Sequence, residues 1–242
     1  FKIQGSDQNK NKNTANCLKA GIKIHIGHLS KNINNATIIV KSSAIKDSNV
    51  EIKQAKKKKI PIYSRAEVLA NIVSLKKNII ITGSHGKTTT TSLISTIFSH
   101  AKIDPTVING GVLNSFSSSA RLGKSDWCIL ESDESDGSFT QIPPTYSIVT
   151  NIDKEHLDFY KSLEVLKKNF INFIEKTPSF GKAFICLDDK NNKKVIKKIK
   201  SLNYNTYGTN VSSNFRILNI IQNENFSKFD IKISLPGVNN SI

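Results

Sequence analysis

The sequence predicts an α/β protein, on three observations. Short apolar strands alternate with helical stretches from the first residues onward, the pattern of a parallel sheet with crossover helices. An apolar strand runs directly into a glycine turn and a hydroxyl-rich helix at Ile79 to Thr91. Hydrophobic residues make up 38% of 242 residues, ample for real cores in one large or two ordinary domains.

In chain order, strands are expected at 1–4, 23–26, 38–41 and 60–63, with helices at 13–20 and 50–57. The first strand ends in Gly5-Ser6-Asp7, and an acid past a strand end is where a nucleotide-binding sheet grips a ribose hydroxyl. The same residues also read as a plain Asx turn, and the local sequence does not choose between the two.

A second unit opens at Lys77 or Asn78. Gly83 and Gly86 let backbone N–H groups close on phosphate oxygens, and a helix starting near Thr88 aims its positive end at them. Lys87 supplies a cation for the outer phosphates and Thr88 a hydroxyl oxygen for Mg²⁺. The common P-loop spacing would require glycine at position 81, where Ile81 stands. The helix is expected to bury Leu93, Ile94, Ile97 and Phe98. Strands follow at 127–130, 146–150 and 182–187, and Leu163, Leu166, Phe170, Phe173 and Ile174 form a core-facing helix stripe between the last two. Lys193, Lys194, Lys197 and Lys198 oppose Val195, Ile196, Ile199 and Leu202 as a solvated helix face. Residues 215–235 alternate like a β-hairpin, and Leu235-Pro236-Gly237 then opens a turn.

Two strand ends carry further chemistry. Glu131-Ser132-Asp133-Glu134-Ser135-Asp136 places four carboxylates at the end of a strand. A solvated acidic loop is the bland reading; a Mg²⁺ site with Glu131 as its rigid ligand is the more economical one. The next strand leads into Asn151-Ile152-Asp153-Lys154-Glu155-His156. Lys87 with Thr88, Glu131 and His156 thus converge on one rim, where one metal could be held by Thr88 and Glu131 and a second by His156 and a γ-phosphate.

The formal net charge is +16, which in isolation suggests nucleic acid. The lysines are dispersed among abundant Asn and Ile, and no aromatics interleave with them, so nucleic-acid binding is not expected. Cys17, Cys128 and Cys186 are odd in number and lack metal-ligand spacing, the usage of a reducing cytoplasm. No apolar run approaches the roughly 20 residues that span a bilayer, so no membrane insertion is expected. The chain starts at Phe1 and has no methionine, so it is expected to be a fragment. Oligomeric state is not legible.

Together, residues 83–91, Asn109-Gly110-Gly111, Ala120-Arg121-Leu122-Gly123, Glu131 to Asp136 with Ser138-Phe139, and Thr150-Asn151-Ile152 with His156-Leu157-Asp158 resemble the Mur ligases. Gly5-Ser6-Asp7, Ile26-Gly27-His28, residues 42–46 and Arg65-Ala66-Glu67 extend the likeness to the branch that joins L-alanine to UDP-N-acetylmuramate. The resemblance implies a Rossmann-like UDP-substrate domain over 1–77, incomplete at its start, and a central ATPase domain over 78–242, incomplete at its end. It implies an ATP- and Mg²⁺-dependent amide ligase of peptidoglycan synthesis, working through an acyl phosphate. By the same resemblance Lys87, Glu131 and His156 are catalytic; Gly83, Ser84, His85, Gly86, Lys87, Thr88 and Thr89 bind ATP; Thr88, Glu131 and His156 hold metal; and Asp7, His28, Ser43 and His85 contact the UDP substrate. Pro236-Gly237-Val238-Asn239-Asn240 departs from the family's Pro-Gly-x-His-Asn turn at the histidine, and Glu155 stands where aspartate is usual. The rival readings are a ligase joining a tripeptide to the same sugar nucleotide, and a non-catalytic nucleotide-binding module. Ser135 and the Asn109-Gly110-Gly111 turn fit the alanine branch better.

Overall fold

The structure is a computed structural model and describes residues 2–113, 118–236 and 238–241. Phe1, Gly237 and Ile242, to which expectations attach, lie outside them. The chain divides into two compact units, Phe1–Val68 and Leu69–Ile242.

The first unit contains two β-α-β pieces. In one, β1 (Gln4–Asp7), α1 (Lys12–Lys19) and β2 (Lys23–Ile26) place two parallel strands side by side. In the other, β3 (Ile39–Lys41), α2 (Val50–Lys57) and β4 (Ile62–Ser64) do the same. The first strand therefore lies further along the chain than expected: Gly5, Ser6 and Asp7 pair with Ile24, His25 and Ile26, so Asp7 closes the strand instead of following it. Helix α1 starts where it does because Asn11 and Thr14 cap reciprocally, each side chain accepting from the other's backbone N–H at 2.9 Å.

Helix α3 (Arg65–Ser74) leads into the second unit. There the elements are β5 (Lys77–Thr82), α4 (Lys87–His100), β6 (Thr106–Leu113), β7 (Ser118–Arg121), β8 (Trp127–Glu131), β9 (Tyr146–Val149), α5 (Leu157–Tyr160), α6 (Leu163–Glu175), β10 (Lys182–Cys186), α7 (Lys190–Ile196), β11 (Tyr204–Gly208), β12 (Phe215–Gln222), β13 (Ser227–Leu235) and β14 (Val238–Ser241). They form a ten-stranded sheet ordered β14-β13-β12-β11-β10-β9-β5-β8-β6-β7. From β12 through β6 every pairing is parallel, while β7, β13 and β14 add antiparallel edges. The chain leaves β5 toward β6 and β8 on one side and returns on the other with β9, so the carboxyl ends of β5, β8 and β9 flank a topological switch point.

The expected α6 stripe forms the core: Leu166, Phe170 and Phe173 are wholly buried, Ile174 nearly so. Phe139, from a short 3₁₀ turn, packs with ring centroids 5.0 Å from Phe170 and 5.4 Å from Phe173. Parallel strands buried on both faces read as unbroken apolar runs, as Ile79-Ile80-Ile81 and Cys128-Ile129-Leu130 do. Asn78 interrupts that logic without penalty. Its amide donates to the carbonyls of Val73 and Pro143 and its oxygen accepts from Thr145 N–H at 2.7 Å, so the buried polar group is paired.

Two helix expectations are corrected. Leu93 and Ile97 on α4 are 61% and 65% exposed, whereas Thr91 and Ser95 are fully buried. The small residues face inward because α4 packs on β5, β6 and β8, where short side chains permit close approach. Helix α7 ends at Ile196, and Leu202, expected on its apolar face, is 87% exposed; it lies beyond the helix in the segment leading to β11. Strands β6, β7 and β11 and helix α3 had no counterpart in the expectations.

Candidate functional site

Strand β5 ends at Thr82, and the chain then turns through Gly83-Ser84-His85-Gly86 into α4. Gly83 adopts φ +131°, and a Cβ there would lie 2.2 Å from Thr150 Oγ1 and 2.8 Å from the Asn151 carbonyl oxygen. Only glycine fits. The segment after β9 grips the turn: Ser84 N–H donates to Asn151 O at 3.0 Å, His85 N–H to Asn151 Oδ1 at 2.8 Å, and Asp153 N–H to Ser84 Oγ at 2.8 Å. Thr150 Oγ1 and Asn151 Nδ2 donate to the His85 carbonyl at 2.8 and 3.0 Å. Gly86, left-handed at φ +81°, is the N-cap of α4 and offers no side-chain cap. The first N–H groups of α4 therefore face outward as an anion-binding end.

Lys87 reaches back over this turn. Its Nζ donates to Gly83 O at 2.7 Å and to Glu134 Oε2 at 2.8 Å, with Asp133 Oδ1 at 3.9 Å. Glu134 is completely buried. Burial pushes its carboxyl above the usual carboxylate range, against the opposing pull of Lys87. Its Oε1 has no hydrogen-bond partner and lies 3.9 Å from His156 Nε2. Tyr160 Oη donates to the Glu134 carbonyl, which fixes the loop's backbone from α5.

Thr88, the next residue along α4, meets Glu131. Thr88 Oγ1 donates to Glu131 Oε1 and Oε2 at 3.0 and 3.1 Å, and Gly110 N–H donates to Glu131 Oε2 at 3.1 Å. A Cβ on Gly110 would press within 3.2 Å of that carboxylate. His156 is not with them: it groups with Asp133 and Glu134, whose ligand atoms and its own lie within 4.8 Å of one another. The three residues expected to bind metal thus fall into two places, Thr88 with Glu131 and His156 with Glu134 and Asp133.

His85 is exposed, its Nε2 3.4 Å from Asp153 Oδ2 and 3.8 Å from Glu155 Oε1. Hydrogen bonds from Lys154 N–H and then from His85 hold the Asp153 carboxyl below its usual range.

In the first unit, Asp7 closes β1 and His28 follows the end of the neighbouring β2. Asp7 accepts from Asn9 N–H at 3.0 Å and Asn11 Nδ2 at 3.1 Å, an Asx-type turn, and these bonds hold its carboxyl low. His28 Nδ1 lies 3.3 Å from Glu51 Oε2, which also accepts from Ser6 Oγ at 2.6 Å, while Asn32 Nδ2 reaches Glu51 Oε1 at 2.7 Å. Desolvation opposes ionisation of Glu51, but the bonds from Ser6, Asn32 and His28 outweigh it and its pKa is lowered. Ser43 follows β3 and is exposed.

Residues 1–77 match the family model described as Mur ligase family, catalytic domain, and residues 81–241 that of the Mur ligase middle domain. The chain belongs to the Mur ligase family. This Mur ligase chain is 63% identical over 99% of its length to UDP-N-acetylmuramate–L-alanine ligase of Pelagibacter ubique, covering 52% of that protein. It is similar to the crystal structure of UDP-N-acetylmuramate–alanine ligase from Thermotoga maritima, with TM-score 0.78 and 25% identity, covering 96% of this chain and 52% of that one. The UDP-N-acetylmuramate:L-alanyl-gamma-D-glutamyl-meso-diaminopimelate ligase from Neisseria meningitides shares the fold, with TM-score 0.83 at 20% identity, over 99% of this chain and 78% of that one. The chain spans about half the length of the curated relatives it matches.

Sequence reasoning missed Glu134 and Glu51. Glu134 is one of four acids in six residues, and nothing local marks it as the one that turns inward. Glu51 opens a helix, where an acid is ordinary.

Proposed function

We propose that this Mur ligase chain carries the nucleotide-sugar and ATP sites of an enzyme that joins L-alanine to UDP-N-acetylmuramate, a step of peptidoglycan synthesis in the cytoplasm. The observation that carries the substrate assignment is the 63% identity, collinear over 99% of the chain, to a protein of that name. No helix among the described residues is long and apolar enough to cross a membrane, which suits an enzyme of water-soluble substrates.

The residues fit both ATP and Mg²⁺. The uncapped first turn of α4 and the Lys87 ammonium suit a triphosphate. Thr88 and Glu131 supply converging oxygens, the donor type a hard divalent cation takes. His156, with Glu134 Oε1 unpartnered beside it, suits a second cation. Bound there, Mg²⁺ would neutralise phosphate charge.

A carboxylate is a poor electrophile and must be activated before an amine can attack it. In the proposed reaction the lactyl carboxylate oxygen attacks the γ-phosphorus, the bond to ADP breaks, and an acyl phosphate forms. The alanine amine then attacks the acyl carbon, phosphate leaves, and the amine loses its proton. Lys87 screens the repulsion between the two anions and stabilises charge on the transferring group. Gly83 and the segment from Thr150 to Asp153 hold the turn that aims Lys87 and the α4 N–H groups. Asp7, His28 and Ser43 in the first unit, and His85 on the turn after β5, are each proposed as contacts of the UDP substrate.

The deciding assay measures ADP formation by the natural protein that carries this chain. Turnover is expected only with UDP-N-acetylmuramate and L-alanine together. Turnover with L-alanyl-γ-D-glutamyl-meso-diaminopimelate in place of L-alanine would transfer the assignment to the tripeptide ligase.

A further inference from the structure

We propose that Glu134 is a positioning residue for Lys87: its buried carboxylate holds the lysine ammonium over the phosphate turn and ties it to the strand end that carries His156. The proposal rests on the ligase reading above for its kinetic arm only.

Three features separate Glu134 from the other acids of its loop. It is wholly buried, whereas the Asp133 side chain is 62% exposed. A carboxylate is placed in such a site only with a compensating partner, and the partner here is the Lys87 ammonium at 2.8 Å. Its backbone is pinned by the hydroxyl of Tyr160, so the carboxylate is held from the side of β9 and α5 while the lysine comes from the end of β5.

The consequence for Lys87 is geometric. Lysine is a point charge on a flexible four-carbon stem and loses several rotatable bonds' worth of freedom when fixed. Three acceptors set the ammonium's place at the turn: the carbonyls of Gly83 at 2.7 Å and Ser84 at 3.4 Å, and Glu134 Oε2 at 2.8 Å, the one charged partner among them. Without the Glu134 charge, the remaining carboxylate near Nζ is Asp133, whose Oδ1 stands 3.9 Å away on the exposed side of the loop. The ammonium would then move outward, off the line of the α4 N–H groups. The second carboxylate oxygen of Glu134 faces His156 at 3.9 Å, so one side chain spaces the lysine and the histidine that flank the proposed transfer site.

Glu134→Gln keeps the volume and one acceptor oxygen but removes the charge. Glu134→Asp keeps the charge one methylene short. The first measurement uses the natural protein without nucleotide: reductive methylation of lysines, read peptide by peptide. Lys87, with 13% of its side chain exposed, is expected to react slowly in the parent and at least several-fold faster in Glu134→Gln, with Lys76 and Lys167 unchanged as controls on folding. The second measurement is ATP turnover. Glu134→Gln is expected to lose about 100-fold in kcat, the scale for a misplaced charge-stabilising group, with KM for ATP little altered, and Glu134→Asp to recover part of that loss.

Unchanged Lys87 reactivity in Glu134→Gln overturns the proposal. So does a kcat near the parent's, or a Glu134→Asp enzyme no better than Glu134→Gln. Absence of ADP formation in the parent would sink the ligase reading instead, and the methylation result would still decide the role of Glu134.

Discussion

Gly83 shows how little freedom the turn after β5 has. With φ at +131° and Thr150 Oγ1 2.2 Å from where a Cβ would stand, Gly83→Ala must displace backbone that also donates to and accepts from the turn. It is expected to destabilise the second unit by about 2–4 kcal/mol, the cost of a strained backbone plus lost hydrogen bonds; a chemical-denaturation midpoint equal to the parent's would contradict this. Lys87→Ala is expected to abolish ADP release in the natural protein, since it removes the ammonium bonded to the Gly83 and Ser84 carbonyls of the turn; near-normal turnover would refute the role of Lys87. At this scale the sequence was informative about identity and silent about partners. A strand, two glycines, a lysine and a threonine in that order announce phosphate chemistry because backbone N–H groups need glycines to approach an anion. That Lys87 bonds Glu134 and not Glu131 depends on how the acidic loop turns after β8, which no local pattern encodes.

Among the elements, α6 was legible with its buried face, while α4 was legible as a helix but not in the face it buries. Leu166, Phe170 and Phe173 recur at helical spacing and all are buried. Phe170→Ala is expected to cost about 3–5 kcal/mol through the cavity it leaves, measured as a lowered unfolding free energy; a loss under 1 kcal/mol would mean that the three-phenylalanine cluster is not the core of this unit. On α4, Leu93 and Ile97 point outward, Ile94 and Phe98 are half-buried, and Thr91 and Ser95 point inward, because close approach to the sheet favours small side chains. In the first unit, Asp47 joins Lys41 at 2.8 Å and Lys56 at 2.7 Å. The hydrogen bond from Lys41, then that from Lys56, lowers its pKa from 3.8 to about 2. A depressed carboxylate pKa contributes stability above its unfolded value that disappears as pH falls through the folded one. The thermal midpoint of the first unit is therefore expected to fall between pH 4 and pH 2 more steeply in the parent than in Asp47→Asn. The difference should be small, since the pair is exposed and salt-screened; parallel pH profiles would remove Asp47 from the account.

At the level of the whole molecule, the strand order puts the functional groups together. Because β5 lies between β8 and β9, the ends of three strands separated by many residues in the chain share one rim, and Lys87, Glu131, Glu134 and His156 gather there. Binding of ATP with Mg²⁺ is expected to slow amide hydrogen exchange at 83–91 and 150–156 while leaving β1 to β4 unchanged. Protection confined to the first unit would place the nucleotide elsewhere. The high positive charge comes from lysines dispersed along the whole sequence, and nucleic acid is not expected to compete with ATP.

The sequence by itself determined the α/β class, the glycine turn between β5 and α4, the family and most of the residues at the strand ends, because strand periodicity, glycine placement and helix starts are local properties that each short segment carries alone. Only the tertiary structure decided which acid turns inward to meet Lys87, which face of α4 is buried, and that His156 has Glu134 and Asp133 beside it. Those outcomes depend on sheet order and on loops closing over one another, and long-range contact of that kind is absent from any single stretch of chain.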